Sequence, residues 1–335
     1  MRILHLLPLL AACLAGPVVA QDGQPLTARF VADRVLVDET TADGQPIVFF
    51  TDTGGGRYIT AGAAARLDLA LTPIPDASPG GPSHVTTWPG LAPGSPTAPL
   101  PTGPLPVVGA GLMPSWASDH DAMLGGTWFA DRIWTFDYPN HRLTAETAAW
   151  RVPEHAVVLP LGFQVRDGAR TTHFPRIEVE IDGQTVALLL DTGATTMLTP
   201  EALAALDDGA PPLRATSMIS DTVFRSWQAA HPDWRVIEAA QTGSGSAMIE
   251  VPRVGIGGLT VGPVWFTHRP DLSPIHERHD GRAHRGGAGR QCLPRPGHDP
   301  RLSRSPGGLH PQSVTTAFDP RPAMGNGSRT STGGG

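Results

Sequence analysis

The sequence predicts a mostly β protein made of two duplicated, β-barrel-like lobes, the second of them incomplete. Three observations carry that reading. An apolar strand runs into Asp-Thr-Gly twice, at Asp52 and at Asp191. The flanks of the two motifs match in spacing. A glycine-containing apolar block that closes the first half has no counterpart in the second.

The chain of 335 residues has room for two domains, and 40% apolar content suffices for real cores. A net charge of -6 argues against a nucleic-acid partner. There is no lysine, so all 25 basic residues are arginine, which with the abundant Ala, Gly and Pro suggests a GC-rich gene. Residues 1–20 read as an export signal: Arg2, an apolar run, and small residues at Val18-Val19-Ala20 before Gln21. Leu10-Ala11-Ala12-Cys13 also resembles a lipoprotein acylation site, so a lipid anchor at Cys13 is the one membrane attachment expected. No other segment approaches the ~20 apolar residues of a membrane span. A periplasmic or secreted chain follows, without an internal disulfide, since removal of the signal leaves only Cys292.

The first lobe is expected over residues 28–150 and the second over 151–270. Asp43-Gly44-Gln45 lies nine residues before Asp52, and Asp182-Gly183-Gln184 nine before Asp191. Each Asp-Gly suits a hairpin turn returning the chain as an apolar strand. The strands PIVFFT and TVALLL are almost continuously apolar, which predicts burial on both faces. A threonine follows each aspartate by eight residues, Thr60 and Thr199, and short Ala/Leu helices come next. Thr199 suits an N-cap, with Pro200 at the first helical position and Glu201 near the positive helix end. A single Asp-Thr-Gly is an ordinary turn, but two with matching flanks indicate duplication.

Duplication supplies the reason for the aspartates. A pseudo-twofold axis brings equivalent loops face to face, so Asp52 and Asp191 meet across a cleft. Two adjacent carboxylates share a proton and titrate as a coupled pair. One then acts as general base on a water while the other protonates an amide carbonyl oxygen. Gly54 and Gly193 allow the sharp turn, and the Thr53 and Thr192 hydroxyls are placed to tie the loops together.

With these motifs, residues 28 to 270 resemble the aspartic peptidases, whose pepsin-like members have two lobes and whose retroviral-type members are homodimers of one. AMLGGTWFADRIWTFDYPNHRLT, from Ala122 to Thr144, is similar to that family's brace for the catalytic loop and looks closest to bacterial retropepsin-like exported proteins. The resemblance implies catalytic roles for Asp52 and Asp191, with Thr53, Gly54, Thr192 and Gly193 supporting the loops. Met123-Leu124-Gly125 would be the brace, and WTFDYP the next strand and turn. It implies a peptide or protein substrate, no metal, no cofactor, and a monomer, because one chain carries both aspartates. Two departures stand out. Gly55-Gly56 replaces the usual Ser or Ala and its neighbour, a change that adds flexibility. No flap hairpin is recognisable in the Pro/Gly-rich stretch 73–106, which reads as an irregular loop. Neither Tyr58 nor Tyr138 suits a flap tip, which leaves Trp88 as the aromatic to test.

From Gly281 onward there are eight Arg against two Asp, many Pro and Gly, and no periodicity. Residues 271–335 therefore read as a disordered tail, out of frame. Joining the last two bases of each codon from Ala283 to Ser305 with the first base of the next permits PIEGALGGNAFRGRVMTLDYPG, with third bases free. That string contains the missing block in the order and spacing of MLGGTWFADRIWTFDYP. An insertion or deletion near residues 271 to 282 is the expected cause. His276, His279 and His284 then carry no metal-binding role. Gly255-Ile256-Gly257-Gly258 reads as a hairpin turn rather than a dinucleotide loop, and Asp119-His120-Asp121 as a solvated turn. The functional expectation is an exported aspartic endopeptidase. The alternatives are an inactive peptide-binding member or a truncated pseudogene product.

Overall fold

The computed structural model describes residues 23–114, 117–154, 156–167 and 169–270. The segments expected to be an export signal and an out-of-frame tail, with Cys13, Cys292 and the three tail histidines, lie outside them. The described chain is mostly β, arranged in several sheets. No helix among the described residues is long and apolar enough to cross a membrane.

An eight-stranded sheet dominates residues 28–124, in the order Ala28–Val31, Arg34–Thr40, Pro46–Thr51, Ala122–Leu124, Arg57–Thr60, Leu105–Val108, His84–Thr86, Thr72–Pro73. Its first turn is the expected one: Thr40 pairs with Pro46 across a loop where Gly44 takes a φ of +87°. Ala122–Leu124 is inserted between the two strands that flank Asp52. It runs parallel to Pro46–Thr51, with Thr51 opposite Leu124, and antiparallel to Arg57–Thr60, with Tyr58 opposite Met123. Ile47, Phe49, Phe50 and Thr51 are buried, so this strand is covered on both of its faces.

Beyond the brace, Ile133–Asp137 and Arg142–Glu146 form a hairpin that also pairs with Gln24–Pro25. Trp128 and Trp134 pack 4.4 Å apart between centroids, and their indole N–H groups donate to Thr97 O and Phe129 O. Each indole thus buries its ring without stranding its donor.

The expected Asp182-Gly183 hairpin joins Arg176–Ile181 to Gln184–Leu189, with Ile181 opposite Gln184. These strands continue through Val254–Ile256 to Leu259–Val261, whose own turn is Gly257-Gly258, both at positive φ. A second four-stranded sheet contains Ser217–Ser220, Val264–Arg269, Met248–Val251 and Val236–Ile237. The buried apolar residues form one cluster from 26–143 and two from 179–266.

Two expectations are corrected. TVALLL is not buried on both faces: Val186 is buried, Ala187 exposed, and Leu188 to Leu190 half-buried. Only the face that carries Val186 and Leu188 packs against the apolar cluster of this half, while Thr185 and Ala187 on the other face are exposed. Gln184–Leu189 also has a strand on one side only among the described residues. The stretch 73–106 is not irregular throughout either. Thr72–Pro73 pairs with His84–Thr86, and Ile74 N–H donates to Ser83 O at 2.9 Å. Pro73 is tolerated there because the strand is at the sheet edge, where its missing donor is not needed.

Candidate active site

Both Asp-Thr-Gly loops are built in the same way. In each, the aspartate Oδ1 accepts the amide of the glycine two residues on, Gly54 N to Asp52 and Gly193 N to Asp191, both at 2.9 Å. The helices that follow start alike. Thr60 Oγ1 accepts from Ala63 N and Thr199 Oγ1 from Ala202 N, so both threonines are N-caps.

The two loops meet. Thr192 N donates to Thr53 Oγ1 at 3.0 Å, and Thr53 N donates to Thr192 Oγ1 at 3.2 Å. The Thr53 hydroxyl donates to Leu190 O at 2.6 Å. The glycines show the same exchange. A Cβ at Gly54 would sit 2.5 Å from the Asp191 carboxyl carbon, and one at Gly193 would sit 2.3 Å from that of Asp52. Each glycine therefore faces the carboxyl of the other loop, and a side chain at either would displace it. All six residues singled out from the sequence thus come together.

The electrostatics follow from the closeness. Burial raises the Asp52 carboxyl well above the usual range, and the charge of Asp191 and a hydrogen bond with it push the same way. The amides of Gly54 and Gly55 oppose this without reversing it. Asp52 is buried while Asp191 is half-buried, so the environments are unequal. Unequal carboxyls facing one another suit a pair in which one holds the proton and the other acts as base.

The brace explains how Asp52 is held. Its amide donates to Leu124 O at 3.0 Å, and Gly126 N donates to Gly55 O at 3.0 Å. A Cβ at Gly125 would lie 1.9 Å from Gly56 O and 2.0 Å from Gly55 O, so only glycine permits that approach. Gly55 is accordingly held at both its amide, which donates to Asp52 O, and its carbonyl, while Gly56 is exposed. A side chain at Gly55 would press on the Asp52 Oδ2 at 2.6 Å and on Met123 Sδ at 2.8 Å. Loop 191–193 has no such strand beside it among the described residues; Leu190 N instead donates to Pro175 O at 2.8 Å.

Asp119-His120-Asp121 is not a solvated turn. Arg34, only 1% exposed, forks onto Asp119 with bonds of 3.1 and 2.6 Å. His120 is buried, its Nδ1 3.2 Å from Asp119 Oδ1 and its Nε2 2.7 Å from the Tyr58 hydroxyl. Asp121 accepts Val48 N at 2.9 Å and pairs with Arg66 at 2.7 Å. The sequence hides this network because Arg34 and Asp119 are 85 positions apart. The available signal was Arg34 itself, the one charge in the apolar run RVLV. Trp88 is not a flap tip: it is half-buried against the first core, edge-on to Phe49 at 5.9 Å. Tyr138 packs edge-on against Phe30 at 5.3 Å, and burial first, then Asp33, Asp191 and Asp52, push its hydroxyl up to about 12.

Among the described residues no group of three His, Cys, Asp or Glu side chains is arranged to hold a metal ion. The chain matches no protein-family model, and no curated protein matches it.

Proposed function

We propose that the chain is a two-lobed aspartic endopeptidase of pepsin-like or retropepsin-like fold, exported to the periplasm or secreted, and acting as a monomer. The observation that carries this reading is the exchange at the centre, where each Asp-Thr-Gly glycine faces the other loop's carboxyl. In this reading the ionised member of the Asp52/Asp191 pair takes a proton from a water as it attacks a peptide carbonyl carbon. The protonated member donates to the carbonyl oxygen, and the proton taken from the water then passes to the leaving nitrogen. The inequality in burial favours Asp52 as the holder of the proton at the start.

The test is cleavage of a denatured protein substrate by the full chain between about pH 3 and pH 7. Pepstatin-sensitive cleavage lost in Asp52→Asn and Asp191→Asn supports the reading. Cleavage that survives both substitutions rejects it.

A second reading is an inactive peptide-binding member or truncated product, and it is favoured by Gln184–Leu189 having a strand on one side only among the described residues. The equivalent edge of Pro46–Thr51 is covered by Ala122–Leu124. Peptide binding without cleavage would support a binding member, and a non-cooperative melt a truncated one.

A further inference from the structure

The Asp52 side of the site has a wall that the dyad chemistry does not use. Phe50, Met123 and Tyr58 are cross-strand neighbours, since Met123 lies opposite Phe50 on one side and Tyr58 on the other. The Met123 sulfur and the Asp52 carboxyl both flank Gly55, and Met123 is the register partner of Tyr58, so Tyr58 lies on the strand next to the one that reaches the carboxyl. Tyr58 is half-buried, with its ring 5.9 Å from His120, which also lies 5.3 Å from Phe50.

Behind Tyr58 stands a directed chain of hydrogen bonds. The Arg34 fork supplies Asp119 with a fixed cation. Burial opposes ionisation of Asp119 most strongly, but the bonds and charges of Arg34 and His120 together hold its carboxyl below the usual range. An ionised carboxylate only accepts, so His120 Nδ1 carries the proton that points at it. In the neutral ring Nε2 is then an acceptor, and the Tyr58 O–H must donate to it at 2.7 Å. The phenol oxygen is left able to accept only. A proton added to His120 goes onto Nε2 and turns that atom into a donor. The bond to Tyr58 then reverses, and the phenol hydrogen is free to point elsewhere.

We propose that Tyr58 is a substrate-binding residue of the Asp52/Asp191 site, and that His120 is the positioning residue that decides whether its phenol donates or accepts. The proposal rests on the peptidase reading. In the acid state Tyr58 donates to a carbonyl oxygen of a bound peptide, and above the His120 transition it does not. The groups facing His120 are Asp119 and Asp121 on its own segment, Arg34 on Arg34–Thr40 and Tyr58 on Arg57–Thr60. Burial lowers His120 below its ordinary value, and Asp119 only partly offsets this. The reversal therefore falls on the acid side of neutrality, where a carboxyl pair sharing one proton operates.

Two measurements on the full chain test this. The first is nitrogen NMR of the His120 ring during a pH titration. A neutral ring protonated on Nδ1 is expected, with a midpoint that falls in Asp119→Asn. A neutral ring protonated on Nε2 overturns the proposal. The second is pepstatin binding by calorimetry for the parent and Tyr58→Phe across the same range. The parent should bind about fivefold more tightly than Tyr58→Phe below the His120 midpoint and nearly equally above it. His120→Gln should remove that step. An affinity ratio that does not change with pH, in a chain that binds pepstatin, overturns the role of Tyr58. A parent chain that does not bind pepstatin at any pH rejects the peptidase reading, and the Tyr58 role falls with it, while the NMR titration still reports the hydrogen-bond chain.

Discussion

The backbone amides of Thr53 and Thr192 each donate to the hydroxyl of the other threonine, at 3.2 and 3.0 Å, across 139 positions of sequence. The exchange joins the two loops at the residues next to their aspartates, so it fixes the separation of the carboxyls. It is not fully symmetric, because Thr53 Oγ1 also donates to Leu190 O at 2.6 Å. Thr53→Val is therefore expected to cost about 2 kcal/mol, and Thr192→Val less, since Thr53 Oγ1 makes the closer bonds and is more deeply buried. Urea denaturation of the two variants measures this. A larger loss in Thr192→Val would place the main tie elsewhere.

The raised Asp52 carboxyl makes stability depend on pH in a definite direction. Its folded-state value lies above its unfolded one, so the protonated form favours the fold. That contribution is fully present below about pH 4, the unfolded value, and is lost as pH rises through the folded one. Asp52→Asn removes the effect. The variant is expected to melt higher than the parent at about pH 7 and to show a flatter profile above about pH 4. Parallel profiles for the two chains would mean that Asp52 is not the strained group.

Gly125 lies against the carbonyl oxygens of Gly55 and Gly56, which are backbone and cannot swing away. Gly125→Ala is expected to cost about 3 kcal/mol and to disturb the loop that holds Asp52. Gly44→Ala is the control: its new methyl meets open space, so its smaller cost comes from a φ of +87° alone. Equal losses in the two variants would remove the close approach as the cause.

Arg34 and Asp119 carry the opposite pH signature. The Asp119 value is depressed in the fold, so its contribution is present above about pH 4 and fades as pH falls through the lower folded value. Arg34→Met leaves Asp119 without its cation. The Asp119 side chain is 33% exposed, so the expected loss is about 2 kcal/mol rather than that of a fully buried pair. Acid titration of the melt should be flatter in the variant below about pH 4. An unchanged acid limb would sink this assignment.

The duplicated loops, their hairpins and their caps were legible in the sequence because each is local: an Asp-Gly turn, a Thr before an Ala/Leu helix. The strand Ala122–Leu124 was marked only by a resemblance, since its pairings are distant in sequence. Two other features were not. Continuous apolarity in TVALLL suggests two buried faces, yet burial is decided by what packs on each face, and among the described residues only the Val186 and Leu188 face meets an apolar cluster. Asp119-His120-Asp121 looks like any polar turn until Arg34 and Tyr58 arrive from strands far away in sequence.

Among the described residues no strand lies beside Gln184–Leu189 in the place where the first half carries Ala122–Leu124, and the alternative frame over residues 283 to 305 would provide ALGG for that position. A fresh DNA read across the codons for residues 265 to 310 is expected to restore ALGG and TLDYP in frame. A read that returns the present frame would leave the ALGG block out of the chain, and peptidase activity should then be weak or absent.

The placement of Ala122–Leu124 also has a kinetic consequence. Pro46–Thr51 and Arg57–Thr60 are close in sequence, yet they do not pair with each other; the strand between them arrives more than sixty residues later. Short-range hairpin formation cannot assemble this centre. A long loop must close first, and its entropy is lost before any contact is gained. Refolding should therefore be slow for a chain of this size, with the outer hairpins protected from amide exchange early and the amides of Asp52 and Gly126 among the last.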